Sequence, residues 1–408
     1  MKFQFLGGAE EVGKLGLIVE LDATKLLLDY GFTPSKPPKY PLEAPNVDLA
    51  LLSHCHVDHS GMLPWLCSKY NTPVLSTSLT AWLTQVLALD SLKVARLEGY
   101  ASPYQKPDIR KMMRNFSFVK YNDVLDLAGL EIKFHSSGHI PGSVMFELRG
   151  EKISLFTSDL NTINTQLVWG AHPVKCDYLF IEGTYAGREH LDRRETERKF
   201  LAKVEEVVNR GGKAIVPVFA VGRAQELMLV LENTRYDKWL DGMGKKINEL
   251  FLDEPRYLRN PKGLQKVMTK TKVVRSDVAR RRAIKEADVI ITTSGMLDGG
   301  PVLEYIKNLN QPRNAILLTG YQVKGSNGRR LLDERKLDFQ GVLQKIDCEV
   351  EYFDFSAHCG HKELVSFVKG CEPEKVIIYH SDNRGKLAEA LSEYEVHLPK
   401  NGEFVELR

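Results

Sequence analysis

The sequence predicts an α/β fold in which one α/β domain is inserted into another. Short apolar runs separated by turn residues dominate the N-terminal part, strands alternate with helices in the middle, and strands ending in histidines return at the C-terminus. Strands that alternate with helices favour a parallel sheet, whereas closely spaced strands favour antiparallel pairing. The predicted limits are residues 1–186 and 351–408 for the outer domain and 187–350 for the insertion.

Composition narrows the class of protein. The 408 residues are 43% hydrophobic and 27% charged, with a net charge of +3, which is ordinary for a soluble globular protein. The six cysteines are scattered and form no Cys-x-x-Cys pair, which favours reduced thiols. No apolar stretch could span a bilayer and the N-terminus lacks the apolar region of a signal peptide, so we expect a cytoplasmic protein without membrane attachment.

The first strands, at residues 3–6, 16–21 and 25–29, are expected to form an antiparallel start to a sheet. Asp29 closes the third of them, so its carboxylate lies at a strand end, where functional sites collect. An ordinary turn aspartate is an equal alternative on local evidence.

Residues 54–59 hold three imidazoles and one carboxylate and follow an apolar run, residues 47–52, that is predicted to be a buried strand. In an extended segment His54 and His56 point to the same side, whereas Asp58 and His59, in the turn that follows, can reach a second point. Imidazole nitrogen and carboxylate oxygen suit zinc, which binds them at roughly 2.0–2.2 Å.

Two alternatives remain for this segment. It could be a solvated polar turn that happens to carry histidines. Cys55 could also be a ligand, although alternation turns its side chain away from the side that His54 and His56 use.

Further candidate ligands lie downstream. Gly138 and Gly142 flank His139 and allow the tight loop in which ligands are commonly held. His135, four positions earlier, is interpreted as a strand or supporting histidine rather than a ligand. Four more polar side chains follow the apolar runs of predicted strands: Asp159, Glu182, His358 and His380.

These donors divide into two sets that share one bridging carboxylate. The sets are His54, His56 and His139 for one metal, Asp58, His59 and His380 for another, and Asp159 between them. Two zinc ions roughly 3.5–4 Å apart lower the pKa of a shared water and clamp the oxygens of an in-line displacement. His358 is the histidine best placed to protonate a leaving alkoxide, and Glu182 could orient it. The catalytic candidates are therefore Asp58, Asp159, Glu182 and His358.

The middle part carries a local excess of basic residues. Residues 256–285 contain a run of Lys and Arg that faces little opposing acid beyond Asp277, and Lys324, Arg329 and Arg330 add a second group. Such an excess indicates a surface for a nucleic acid. Solvated helix faces that merely look basic are the alternative.

Several motifs resemble one family. Residues 54–59 match the H-x-H-x-D-H signature of the metallo-β-lactamase superfamily, and its other site positions are matched in order by Asp29, His139, Asp159 and His380. Glu182-Gly183-Thr184-Tyr185, Phe355-Ser356-Ala357-His358 and His380 resemble the three motifs of its β-CASP members. Residues 217–227, which include Arg223, resemble a segment of the nuclease subunit of the mRNA cleavage and polyadenylation specificity factor.

The resemblance implies a four-layered αββα domain with two zinc ions and an inserted β-CASP domain. It implies a zinc-dependent ribonuclease of RNA processing or decay, similar to stand-alone archaeal and bacterial members and to RNase J. Single-stranded RNA would contact Arg223, Lys324, Arg329 and Arg330, and Asp29 would support the ligands without binding metal. A homodimer is also implied. Endonuclease and 5′→3′ exonuclease action both remain open.

Two other classes of function compete. A catalytically silent RNA-binding scaffold usually lacks some of the ligands, and all seven expected positions are filled here. A small-molecule ester or thioester hydrolase could use the same metal core, but the basic insertion argues against it.

Overall fold

The computed structural model describes residues 1–21 and 23–407 and divides into two compact units. Unit 1 contains residues 1–164 and 169–189 and resumes at Ala357; unit 2 contains residues 165–168 and 190–356. No helix within the described ranges combines the length and the apolar character that crossing a bilayer requires.

Unit 1 begins with a strand-rich segment that carries its helices between parallel strands. In chain order its elements are β1 (Lys2–Gly7), β2 (Gly16–Leu21), β3 (Thr24–Tyr30), β4 (Leu49–Leu51), α1 (Val57–Ser60), α2 (Leu63–Tyr70), β5 (Val74–Thr77), α3 (Ser78–Glu98), α4 (Lys106–Asn115), β6 (Phe116–Val119), β7 (Val124–Leu127), β8 (Leu130–Ser136), β9 (Val144–Arg149), β10 (Ile153–Phe156) and β11 (Tyr178–Glu182).

Unit 2 alternates helices with strands. Its elements are α5 (Arg193–Asn209), β12 (Ala214–Pro217), α6 (Arg223–Val230), β13 (Lys238–Asp241), α7 (Gly244–Asp253), a 3-10 turn (Pro255–Tyr257), α8 (Pro261–Lys270), β14 (Thr271–Val273), α9 (Asp277–Glu286), β15 (Val289–Thr292), α10 (Pro301–Leu309), β16 (Ala315–Leu318), α11 (Asn327–Glu334), β17 (Lys336–Phe339), β18 (Val342–Lys345) and β19 (Glu349–Tyr352).

Unit 1 is completed by the C-terminal segment. This segment contains α12 (His361–Cys371), β20 (Lys375–Tyr379), α13 (Arg384–Ala390), β21 (Glu395–His397) and β22 (Phe404–Glu406).

Two sheets, each of seven described strands, pack face to face in unit 1. Their orders are β22-β1-β2-β3-β4-β5-β6 and β21-β20-β11-β10-β9-β8-β7. One hydrophobic cluster, which includes Phe5 and Phe146, joins the facing sides. A second cluster joins the first sheet to α2, α3 and α4, and a third joins the second sheet to α12 and α13. The helix–sheet–sheet–helix order confirms the predicted αββα fold.

The pairing within each sheet places the functional residues. β1, β2 and β3 pair antiparallel, as predicted, whereas β3 to β6 pair parallel. β10, β11, β20 and β21 also form a parallel group, and β11 is buried along its whole length, as expected of a central strand. The carboxyl ends of parallel strands lie at one edge of a sheet, so polar residues that end these strands are brought together.

Unit 2 is built on a parallel sheet in the order β14-β13-β15-β12-β16-β19, and this finding confirms the predicted α/β insertion. The described strands β17 and β18 form a separate hairpin. α9, α10 and α11 bury Ala283, Tyr305 and Leu331 in one cluster with residues of the sheet.

Two local predictions were wrong. Asp58 and His59 lie in a one-turn helix rather than a turn, because the carbonyl of His56 accepts the N–H groups of both His59 and Ser60 at 2.9 Å. Several basic residues of the segment 256–285 face opposing acid, because segments distant in sequence supply it. The ion pairs include Lys266–Glu232 at 2.8 Å, Lys272–Asp237 at 2.7 Å and Arg280–Asp241 at 2.8 Å.

Candidate metal centre

All predicted metal ligands lie in unit 1, near the carboxyl ends of its parallel strands or in a loop beside them. His54 and His56 follow β4, Asp58 and His59 lie in α1, His139 lies between β8 and β9, Asp159 follows β10, and His380 follows β20. Positions that span more than 300 residues of sequence therefore meet at one place, where the described residues form three overlapping sets of donors that could each hold a metal ion. The first group is His54, His56, His139 and Asp159, and the second is Asp58, His59 and His380. The third set, Asp29, His54 and His59, shares its histidines with the other two.

The first group is compact. His56 Nδ1 lies 3.1 Å from His54 Nε2 and 3.1 Å from His139 Nε2, and Asp159 Oδ2 lies 3.4 and 3.5 Å from the same two Nε2 atoms. Four ligands around zinc at roughly 2.0–2.1 Å in a tetrahedron are separated by about 3.3 Å. The donor spacing therefore fits one tetrahedral ion.

The second group is wider. His59 Nε2 lies 3.3 Å from Asp159 Oδ1 and 3.9 Å from Asp58 Oδ2. His380 places Nδ1 at 3.5 Å from Asp159 Oδ1, but its other nitrogen, Nε2, is the one nearer to Asp58, at 3.7 Å, and accepts the N–H of Gly13 at 2.9 Å. The imidazole of His380 therefore does not present a single nitrogen to both carboxylates.

Asp159 faces both groups with different oxygens, since Oδ2 points to His54 and His139 and Oδ1 to His59 and His380. Its side chain is 4% exposed. A carboxylate in this position can bridge two ions.

Two buried atoms test whether the site suits a cation. Within residues 1–21 and 23–407, neither His59 Nε2 nor Asp159 Oδ1 has a hydrogen-bond partner, and both atoms are buried. Leaving buried polar atoms without partners is unfavourable, so such atoms point to a missing ligand. His59 Nε2 faces Asp159 Oδ1 at 3.3 Å. A cation between them, either a proton on the imidazole or a metal ion, satisfies both atoms, and the donor set therefore fits a metal.

Asp29 supports the ligands from behind. Its Oδ1 accepts the N–H of Ser53 at 2.7 Å, and its Oδ2 accepts the Ser53 hydroxyl at 2.6 Å and His59 Nδ1–H at 2.8 Å. Because Nδ1–H is held in this way, Nε2 of His59 faces the site. Asp29 also belongs to the third set of donors, with His54 and His59, so its supporting role without metal stays a prediction.

Close backbone approach brings β3 and α1 together. A Cβ at Gly31 would lie 2.0 Å from the carbonyl carbon of Asp58, so no other residue permits this contact. At the neighbouring strand ends, Asp29, Ser158 and His380 all adopt left-handed backbone conformations with φ between 51° and 54°. Non-glycine residues rarely adopt these angles, and such positions cluster at functional sites.

The pKa values of several candidate ligands depart strongly from their ordinary values. Burial lowers the pKa of His56 to about 3 and the pKa of His139 well below its ordinary value. Burial opposes ionisation of Asp159, but the charges of His59 and His358 outweigh it and hold the pKa of this carboxyl well below its usual range. Neutral imidazoles and an ionised carboxylate are the forms that bind a metal.

The pKa of His59 shifts in the opposite direction to that of His56 and His139. Burial lowers its pKa, but the charges of Asp159 and Asp58 outweigh burial and raise the pKa well above its ordinary value. The same carboxylates would attract any cation to this point.

His358 lies beside the first group and is held by Glu182. Its Nδ1 is 3.0 Å from Glu182 Oε1, and its Nε2 is 3.7 Å from Asp159 Oδ2. Glu182 is fully buried and also accepts the N–H groups of Leu160 at 3.2 Å and Thr184 at 2.7 Å. Burial lowers the pKa of His358, but the charges of Asp159 and Glu182 outweigh it and raise the pKa to about 9.

Other candidates lie elsewhere. His135 Nε2 is 2.6 Å from Glu147 Oε2 and does not join the site, which agrees with its interpretation as a strand histidine. Cys55 is buried and belongs to neither metal-binding group of the described residues. The predicted RNA contacts, Arg223, Lys324, Arg329 and Arg330, all belong to unit 2.

Two serines that contact the candidate ligands were not predicted from the sequence. Ser53 Oγ lies 3.1 Å from His54 Nδ1, and the hydroxyl of Ser158 donates to Ser53 Oγ at 2.6 Å. A chain of hydroxyls thus connects His54 with Asp29. The signal was available, because each serine directly precedes a predicted ligand at the end of an apolar run.

Comparison with known proteins places the chain in a family. It matches the metallo-beta-lactamase superfamily domain over residues 18–170, the Beta-Casp domain over residues 224–331, and the Zn-dependent metallo-hydrolase RNA specificity domain over residues 344–399. The probable RNase MJ4 of Methanocaldococcus jannaschii is 37% identical over 94% of this chain and 93% of its own length.

Two further likenesses agree with this match. RNase aCSPSF2 of Saccharolobus solfataricus is 36% identical over 99% of this chain and 85% of its own length. A crystal structure of a protein of unknown function from Enterococcus faecalis V583 shares the fold, with a TM-score of 0.66, 14% identity and coverage of 100% of this chain and 99% of that one. The resemblance predicted from the motifs is therefore confirmed, and the chain belongs to the β-CASP family of the metallo-β-lactamase superfamily.

Proposed function

We propose that this chain is a zinc-dependent ribonuclease that binds two zinc ions and hydrolyses phosphodiester bonds of single-stranded RNA in RNA processing or decay. The arrangement of Asp159 between two donor groups carries the proposal, because a single ion would need only one of its oxygens. The names of the relatives in M. jannaschii and S. solfataricus support RNA as the substrate.

In this proposal each group of donors holds one ion. The first ion is held by His54, His56, His139 and Asp159, and the second by Asp58, His59, His380 and Asp159. The chemistry that two bound zinc ions supply is the acidification of water and the neutralisation of charge on phosphate oxygens. Asp29 keeps His59 in the tautomer that leaves Nε2 available.

His358 acts as the proton donor to the leaving oxygen. Glu182 holds its Nδ1, so Nε2 is the nitrogen that faces Asp159 and the first group. The three contacts that Glu182 accepts restrict its own side chain, so the imidazole is held in one orientation. General acid catalysis of this kind contributes about 10²- to 10⁴-fold.

The remaining proposals concern partners. Arg223, Lys324, Arg329 and Arg330 would bind the RNA backbone. A homodimer and a cytoplasmic location remain predictions. Sedimentation velocity tests the oligomeric state, and fractionation of cells tests the location.

The decisive experiment combines zinc analysis with cleavage assays. We expect two zinc ions per chain and cleavage of end-labelled single-stranded RNA, lost on chelation and restored by zinc, with single-stranded DNA as the control. Internal fragments indicate endonuclease action, and mononucleotides from a 5′-monophosphate end indicate exonuclease action. Turnover of thioesters without RNA cleavage would overturn the proposal.

A further inference from the structure

Unit 2 contains a cavity of about 400 Å³ at the carboxyl end of β16. From β12 the chain proceeds to β13 on one side of the sheet, whereas from the neighbouring β16 it proceeds to β19 on the other side. Loops that leave neighbouring parallel strands in opposite directions open the crevice in which α/β sheets bind ligands. Every lining residue belongs to the segment 321–334 that leaves β16, so the cavity lies on the β16 side of this switch point.

The lining combines one aromatic ring with cations. Tyr321 is 42% exposed, and Lys324, Arg329 and Arg330 surround the same space. Two carboxylates, Asp333 and Glu334, also line it, so the three cations leave one net positive charge. A half-exposed ring beside a modest positive charge suits a base and its phosphate.

The two arginines are not equally available. Arg329 Nη2 is 2.8 Å from Asp333 Oδ1, in an ion pair on one helix face. Arg330 Nη1 is 3.9 Å from Asp338 Oδ2 and donates to Asn327 Oδ1 at 3.3 Å, and both contacts are longer than the ion pair of Arg329. Lys324 and Arg330 are therefore the cations better placed to meet a phosphate.

The helix beside the cavity does not supply a backbone phosphate site. The N–H groups that begin α11 are already bonded: Asn327 to Asp298 Oδ1 at 2.8 Å, Gly328 to the Met296 carbonyl at 2.8 Å, and Arg329 to Ser326 Oγ at 3.1 Å. Side chains must hold any anion here. This excludes the tight phosphate cradle that mononucleotide cofactors use and favours one unit of a polymer.

We propose that this cavity binds one nucleotide of single-stranded RNA, with the base stacked on Tyr321 and the phosphate held by Lys324 and Arg330. The proposal rests on the proposed ribonuclease function, since that function supplies the polymer. Stacking on an aromatic ring tolerates every base, so the cavity contributes affinity without sequence preference.

Fluorescence anisotropy of the zinc-loaded full chain with a nuclease-resistant 2′-O-methyl phosphorothioate oligouridylate tests the stacking. Tyr321→Ala should weaken binding by about 5- to 150-fold, the range measured for loss of one stacked base. Tyr321→Phe keeps the ring and should bind as the unsubstituted chain does. Tyr352→Ala, which removes a ring 38% exposed on β19, is the matched control.

The salt dependence of binding tests the phosphate contact. A plot of log affinity against log salt has a negative slope. Lys324→Ala should make this slope less steep by about 0.7, the value for one phosphate of a single strand. Lys307→Ala, an exposed lysine of α10, should leave the slope unchanged. Circular dichroism melting confirms that each variant is folded.

The outcomes separate the cavity from the reaction. Unchanged RNA affinity in folded Tyr321→Ala, together with an unchanged salt slope in folded Lys324→Ala, would overturn the proposal that the cavity binds a nucleotide, even if the chain cleaves RNA. Weakened RNA binding in both variants supports nucleotide binding in the cavity. If the unsubstituted chain then cleaves no RNA, only the ribonuclease proposal is overturned.

Discussion

The two donor groups of the metal centre differ in how far they are organised in advance. In the first group, neighbouring donors are 3.1–3.5 Å apart, close to the edges of one tetrahedron. In the second group, the separations reach 3.9 Å, and His380 offers different nitrogens to Asp58 and Asp159. An ion in the first group needs little movement of the protein, whereas an ion in the second group requires His380 to reorient.

The difference follows from how the chain presents each residue. His54 and His56 lie two positions apart on one extended segment, and the Nδ1 of His139 is fixed by the carbonyl of Ala357 at 2.8 Å. His380 has φ +51° at the end of β20, and its ring bonds to the backbone of Gly13. A ring nitrogen that already accepts a backbone N–H, as Nε2 of His380 does, must lose that bond before it can bind a metal.

Removing the shared carboxylate should have the largest effect, because both groups lose a donor. Asp159→Ala is expected to lose zinc from both groups and to slow RNA cleavage by about 10³-fold or more, since metal ions supply several kcal/mol to the transition state. Mass spectrometry of bound metal and the cleavage rate measure this. Asp126→Ala, which changes an exposed aspartate of β7, is the control. Two zinc ions retained in folded Asp159→Ala would break the bridging assignment.

Removing His358 should separate catalysis from metal binding. His358→Ala is expected to slow cleavage by about 10²- to 10⁴-fold while both zinc ions stay bound, because the ring donates a proton and completes neither group. Glu182→Gln keeps an acceptor for Nδ1–H but removes its charge, so an intermediate loss is expected. Loss of zinc from His358→Ala would show instead that this histidine is a ligand.

Stepwise chelation tests the comparison directly. The second group should release its ion at a chelator concentration about 10- to 100-fold lower than the first, the range by which supporting contacts alter metal affinity. His380→Ala should keep one zinc ion, and His56→Ala should weaken the tighter site. Release of both ions in a single step from the unsubstituted chain would contradict unequal groups.

The meeting of the candidate ligands at one place could be predicted from sequence, because strand ends limit where a polar side chain can point. Each ligand follows an apolar run or sits between glycines, and parallel pairing then brings the strand ends to one edge. The one-turn helix at Asp58 was not predictable, since the backbone bond from Ser60 N–H to the His56 carbonyl distinguishes it from a turn. The position of Ser53, directly before a candidate ligand, was a visible signal in the sequence, but alternation predicts the side of a strand and not the partners His54 and Asp29.

For the basic side chains of unit 2, in contrast to the candidate ligands, the sequence did not predict which are engaged by other residues. A run of basic residues in sequence indicated an open surface, yet Arg280 forms ion pairs with Asp241, Asp277 and Glu304. The carboxylate of Asp241 comes from strand β13 and that of Glu304 from helix α10, so no local window of sequence reveals them. Net charge along the chain therefore predicted the presence of basic residues but not which of them remain available to RNA.

The smallest effect is expected at Cys55, which lies between two ligands of the first group. Its side chain is fully buried, burial raises the pKa of its thiol, and it belongs to no candidate metal-binding group of the described residues. We therefore expect a neutral thiol that binds no metal. Cys55→Ala should keep two zinc ions and the cleavage rate, and the free energy of unfolding should fall by about 1 kcal/mol. Metal analysis, the cleavage assay and urea denaturation measure the three quantities, with Cys67→Ala as a second buried thiol for comparison. Loss of zinc in Cys55→Ala alone would show that this thiol turns toward His54 and His56 and completes the first group.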